Sequence, residues 1–281
     1  MAFFDRYRRG FLLVKQSWHV LNQDKRLLAF PILSAVCTFA VFLSFAVPIA
    51  SSEKVQDFLS EQNYIVEAAD FAILFLFYFL IFFVITVFNA ALISCAITSL
   101  RGGKPTLIGG MKAALTRLPQ ILAWSLLSAT VGVLLRVIES RFPLVMRLFA
   151  MFAGFLWAVA SYFAVPVMVA EGLGPLGAVK RSVTIIRKTW GEALVINLGL
   201  NALFALMLFI VGLPFFVIGP LGDNRLVLAY LACVVVFFIL VALIGTTLTT
   251  IARSAIYCYA VDGKAPSGFD AQWLSTAFRQ R

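Results

Sequence analysis

The sequence predicts an all-α fold, a polytopic transmembrane helix bundle with six transmembrane helices and amphipathic cytoplasmic interfacial helices. Three observations predict it. Apolar residues fill 62% of the 281 positions, against roughly 45–50% in soluble domains, and the mean hydropathy is +0.98. Charged residues make up only 13%, about half the usual share. Those charges fall between apolar runs that reach the roughly 20 residues needed to cross a ~30 Å hydrocarbon core.

Taken in order, the runs cover residues 27–50 (LLAFPILSAVCTFAVFLSFAVPIA), 71–100, 119–135, 148–170, 193–219 and 226–250. The third is short, with Arg136 at its end, and the fourth follows Arg141, Pro143 and Arg147. Beyond the sixth, IARSAIYCYA has no helix breaker, so that helix is expected to continue to Ala260. Residues 262–281 form the tail. A cleaved export signal is the rival reading of the first run, but an h-region is only about 7–15 residues long and five more spans follow. An uncleaved first helix is expected, and 1–281 reads as one integral membrane domain with no soluble catalytic module.

Orientation follows from the 23 lysines and arginines. Eighteen lie in the N-terminal segment, the 101–117 and 180–188 connections and the stretch from Arg253 to the end of the tail, and five in the alternate connections. Basic residues collect on the cytoplasmic side of a membrane protein, so both termini are expected there. The same rule accounts for the pI of about 9.8 without nucleic acid.

The connections on the basic side share a pattern. The second, fourth and sixth runs end in LRGGKPT, AEGLGPLG and VDGKAPSG, each with glycine shortly before Pro105, Pro175 or Pro266. Glycine suits a helix end and proline a helix start. An amphipathic stretch follows each proline. In PLGAVKRSVTIIRKTWG the expected apolar face is Leu176, Val179, Val183, Ile186 and Trp190. The N-terminal segment, residues 3–22, fits best: Phe4, Tyr7, Phe11, Val14, Trp18 and Leu21 recur at three- and four-residue steps, the spacing of one helical face. The chain reads as three units of surface helix plus transmembrane hairpin, closed by a fourth surface helix. Arg8, Arg9, Lys15, Lys180, Arg181, Arg187 and Lys188 are the candidate contacts to lipid headgroups, and anionic lipid at the cytoplasmic face is the expected partner, with membrane or cytoplasmic proteins besides.

Familiar catalytic chemistry lacks its parts. His19 is the only histidine and has no nucleophile motif beside it. The apolar runs hold no carboxylate pair for acid–base work. The four cysteines, Cys37, Cys95, Cys233 and Cys258, show no CxxC spacing, so neither a disulfide framework nor a metal site is expected. The glycine-rich turns do not spell a phosphate loop. No catalytic residue, cofactor or metal is therefore assigned, and an enzyme is not expected. Asn89, in the second run, and Asn197 and Asn201, four apart in the fifth, are the candidate lining of a polar cavity. The bland reading is hydrogen bonding between helices, and the same alternatives apply to Thr246, Thr247, Thr249 and Thr250. Glu139 is expected to pair with an arginine at the 136–147 bend.

The opening FFDRYRRGFLLVKQSWHVLNQDKRLLAFPILSA resembles the start of an uncharacterised bacterial integral membrane protein family, in Arg9-Gly10, Ser17-Trp18, Asp24-Lys25 and Pro31. VPVMVAEGLGPLGAVKRSVTIIRKTWG looks like a second landmark of that family, in Pro166, Glu171, Gly174-Pro175, Lys180-Arg181-Ser182 and Trp190. This stretch is also similar to a loop in the membrane domain fused to some glycerophosphodiester phosphodiesterases, whose catalytic domain has no counterpart here. The resemblance implies a six-helix protein of the bacterial inner membrane and brings no activity. Three classes of function follow: a non-enzymatic bundle that binds or organises lipids or partners through its basic helices, a transporter or pore lined by the asparagines, and a membrane enzyme acting on lipid. The first is the expected one.

Overall fold

The computed structural model describes residues 15–50, 68–141, 144–187 and 224–269, and the single residues 207 and 211. All regular structure among them is helical. Helix α1 covers 15–23. A 3-10 turn, Lys25–Leu28, leads into α2, Ala29–Ala50. Then come α3, Ala68–Leu100, and α4, Leu107–Thr116. Next are α5, Leu118–Arg141, α6, Leu144–Ala160, and α7, Ala164–Glu171. Helix α8 covers 175–187, and α9 is Asn224–Asp262.

Among the described residues, five segments are long and apolar enough to cross a membrane: Lys25–Ala50, Phe71–Leu100, Leu118–Glu139, Val145–Glu171 and Val227–Asp262. The protein is thus a multi-pass, all-helical membrane protein. The expected fifth span, 193–219, lies outside the described residues, as do residues 3–14 of the N-terminal surface helix and most of the tail. The third span is longer than expected. Its helix runs past Arg136 because that guanidinium donates to Tyr78 Oη at 3.4 Å and lies 3.5 Å from Glu139 one turn on.

The expected single fourth span is divided. Helix α6 ends at Ala160, and Ser161, Tyr162 and Phe163 form a turn before α7. Proline has no N–H and clashes with the carbonyl four residues back in a helix interior, but it is tolerated in the first turn. Breaking the helix here puts Pro166 in the first turn of α7. A side chain satisfies the broken ladder: the buried Phe163 N–H donates to Ser182 Oγ of α8 at 2.9 Å.

The chain forms two compact units: Met1–Leu28, Ala96–Lys104 and Arg187–Arg281 in one, and Ala29–Cys95 and Pro105–Ile186 in the other. In the second unit α5 packs on α6, and Trp124 stacks on Trp157 with ring centroids 5.7 Å apart. In the first unit the 3-10 turn packs on α9. Burial along the long helices is one-ended. Helix α3 buries Ala90, Ala91, Leu92 and Ile93 near its end and exposes Ile73, Leu76 and Ile85 nearer its start. Helix α9 buries Ile251, Ala252, Ala255 and Ile256 and exposes Leu228, Leu231, Val235 and Ile239. Exposed apolar surface of this extent is a membrane-facing surface rather than a soluble one. Thr246 and Thr247 donate to Leu243 O at 3.0 and 2.7 Å, and Thr249 donates to Gly245 O at 2.6 Å. These hydroxyls are satisfied by their own helix.

Candidate functional site

The turns that follow α3, α7 and α9 share one geometry. Gly102, Gly172 and Gly263 have φ of 82°, 72° and 67°, the left-handed conformation that ends helices at little cost only for glycine. Each is followed three residues later by proline: Pro105, Pro175 and Pro266. The first turn leads through Thr106, whose Oγ1 caps Gly109 N at 3.0 Å, into α4. The second leads into α8. After Pro266 the described chain makes another turn through Gly268.

Helices α1, α4 and α8 carry a second common pattern. Lys15-Gln16-Ser17-Trp18, Lys112-Ala113-Ala114-Leu115 and Lys180-Arg181-Ser182-Val183 share the order lysine, any residue, small residue, apolar residue. The three lysines are exposed, and Ser17, Ala114 and Ser182 are fully buried. The expected apolar face of the N-terminal helix, placed by its spacing either in the interface or under the bundle, is divided: Trp18 is 44% exposed, while Leu21 is buried together with Ser17 and Val20. Leu176 is 69% exposed, and α8 buries Ala178, Ser182, Ile185 and Ile186. Close packing selects the small-residue side. In α4 a Cβ at Gly110 would stand 2.5 Å from Cys95 Sγ, 2.9 Å from Ala91 O and 3.0 Å from Phe30 Cζ, so this helix meets its neighbours almost backbone to side chain. Large apolar residues then fall on the outer flank beside the lysines.

Charge at the turns is partly internal. Arg101, just before Gly102, holds Asp262, just before Gly263, through Nε and Nη2 at 3.1 Å each. The hydrogen bond to Asp262 raises the Arg101 pKa above its ordinary value, against a smaller opposing effect of burial. Ser267 N donates to Leu100 O at 2.8 Å, joining the same two turns. In the other unit Glu171, just before Gly172, accepts from Arg181 Nε at 3.2 Å. Arg117, between α4 and α5, is half-buried and lies against the Gly172 turn. Its Nη1 and Nη2 would stand 2.6 and 3.0 Å from a Cβ at Gly172.

Of the expected headgroup contacts, Lys15, Lys180 and Arg187 are exposed. Arg181 is half-buried on Glu171 and so is partly neutralised. Arg8, Arg9 and Lys188 lie outside the described residues. Asn89 is half-buried and engaged by the protein itself. Asn197 and Asn201 lie outside the described residues. Sequence reasoning did not single out Lys112 or Arg117. The repeated order of lysine, any residue, small residue was the signal for Lys112. Nothing local marked Arg117, because its place depends on a turn 55 residues away.

No curated protein matches the chain. The region of likeness to a known family begins after the N-terminal opening and includes the Pro166 to Trp190 stretch. Over residues 68–269, most of its length, the chain matches and belongs to a family of unknown function, DUF6159.

Proposed function

We propose that this protein is a non-enzymatic helical bundle of the inner membrane whose basic cytoplasmic face binds and organises anionic lipid, and through it membrane or cytoplasmic partners. The observation that carries this reading is the shared pattern at exposed Lys15, Lys112 and Lys180, each three residues before an apolar residue: Trp18 and Leu115, which are exposed, and Val183, which is half-buried. An interfacial helix needs that pairing, with apolar side chains at the acyl boundary and ammonium groups among the phosphates. Each basic residue near an anionic surface contributes about 1 kcal/mol. The positive-inside count supports the orientation.

Gentle extraction followed by native mass spectrometry tests the reading. Phosphatidylglycerol or cardiolipin is expected to remain bound to the wild type. Replacing Lys15, Lys112 and Lys180 by glutamine is expected to reduce the retained lipid. Equal retention by wild type and variant, or retention of zwitterionic lipid alone, contradicts the reading.

A further inference from the structure

Several fixed charges are answered within the protein: Arg101 by Asp262 and Glu171 by Arg181 at the turns, and Arg136 by Glu139 within α5. Arg117 differs. Its guanidinium is half-buried against Gly172, yet it makes no ion pair or side-chain hydrogen bond among the described residues. Glu171, the neighbour of Gly172, is held by Arg181. The Gly172 carbonyl takes its hydrogen bond from Gln120 Nε2, at 3.5 Å, rather than from Arg117. Gln120 Oε1 is buried with no donor. The carbonyl ends of α4 and α7 favour a cation here, which explains the charge but leaves the forked N–H groups unused. Partial desolvation of an unpaired cation is unfavourable, and a guanidinium fork is shaped for phosphate oxygens. Arg117 also joins the surface helix α4 to the spanning helix α5, the level at which headgroups lie.

We infer that Arg117, seated on the Gly172 turn beside Gln120, binds a phosphate group. A phosphate monoester or a hydroxyl-bearing phosphodiester headgroup offers acceptors to Arg117 and a donor to Gln120 Oε1. Inorganic phosphate has the same chemistry. Gly172 permits the seat twice over, through its left-handed backbone and through the space that a side chain would take from the guanidinium. This inference deepens the lipid-binding reading by naming one seat and its ligand chemistry.

The test measures dissociation constants for short-chain phosphatidic acid and for inorganic phosphate, on the full chain in detergent. The proteins are wild type, R117Q, R117K and K112Q. R117Q is expected to weaken binding about tenfold, because a charge-assisted bidentate pair is lost, and R117K about threefold, because the charge stays and the fork goes. K112Q is expected to change it less than either. Weakening for the lipid alone identifies a headgroup; weakening for both ligands identifies free phosphate as a sufficient ligand. Should R117Q fail to elute as a single species, R117K decides. Wild-type affinity in R117Q, or in R117K if that variant decides, overturns the seat, as does wild type binding neither ligand. Lipid binding that falls in K112Q but not in R117Q overturns the seat and leaves the broader reading standing. Phosphate bound through Arg117 with no lipid bound supports the seat and overturns the broader reading.

Discussion

Arg101 and Asp262 stand 161 positions apart in the chain and join through two hydrogen bonds of 3.1 Å. With the bond from Ser267 N to Leu100 O, the pair ties the end of α3 to the end of α9. Both side chains are more than a third exposed, so the pair contributes about 0.5–1 kcal/mol rather than the value of a buried bridge. R101Q and D262N are each expected to lower the melting temperature slightly in detergent, and R101D/D262R to recover part of the loss. Full additivity of the two single changes would show that the pair is uncoupled. Because the hydrogen bond to Asp262 raises the Arg101 pKa above its ordinary value, its share of stability is complete at neutral pH and lost only at strongly alkaline pH. A thermal-shift series across neutral pH should show no loss attributable to Arg101.

Two glycines of the surface helices should respond oppositely to alanine. At Gly110 a Cβ would press on Cys95, the Ala91 carbonyl and Phe30, and G110A is expected to cost about 1–3 kcal/mol, as overpacking does. At Gly177 the nearest atom to a new Cβ is Leu173 Cβ at 3.6 Å, and G177A is expected to gain about 0.5–1 kcal/mol from helix propensity. Thermal unfolding of both variants checks the pair of signs.

Gly102 and Gly172 separate backbone strain from crowding. Both have positive φ, but a Cβ at Gly102 meets nothing within 4 Å while one at Gly172 meets Arg117. G102A is expected to cost about 1–2 kcal/mol from the left-handed conformation alone, and G172A more. The excess should shrink in an R117A background, measured as a double-mutant cycle.

Ser182 holds the break between α6 and α7. S182A removes the acceptor of a buried N–H, that of Phe163, and is expected to cost about 1–3 kcal/mol. Amide exchange at Phe163 should accelerate in the variant. Unchanged exchange would show that the turn is held by other means.

Much of this was legible in the sequence, and the residues show where legibility stopped. Apolar runs bounded by charge located the five described spans, because length and hydropathy act locally. The glycine and proline punctuation located the turns for the same reason. The rotation of the surface helices was not legible. Periodicity grouped Trp18 with Leu21 and Leu176 with Ile186 on one face, whereas close approach buries Ser17, Ala178 and Ser182 and leaves Trp18 and Leu176 exposed. Hydrophobicity cannot tell a lipid-facing flank from a protein-facing one. The division of the fourth span was hinted at by Pro166, but its position depended on Ser182, 19 residues on. The seat of Arg117 on Gly172 is likewise a tertiary relation.

The positive-inside rule predicts that the connections carrying Lys104, Lys180 and Lys264 face the cytoplasm. Single cysteines introduced into a chain lacking Cys37, Cys95, Cys233 and Cys258 test it most directly, with a membrane-impermeant maleimide on sealed right-side-out vesicles. A cysteine replacing Arg225, at the start of α9, is expected to be labelled at once. Cysteines replacing Lys104, Lys180 or Lys264 are expected to be labelled only after permeabilisation. Labelling of the three lysine positions in sealed vesicles, with Arg225 protected, would contradict the account.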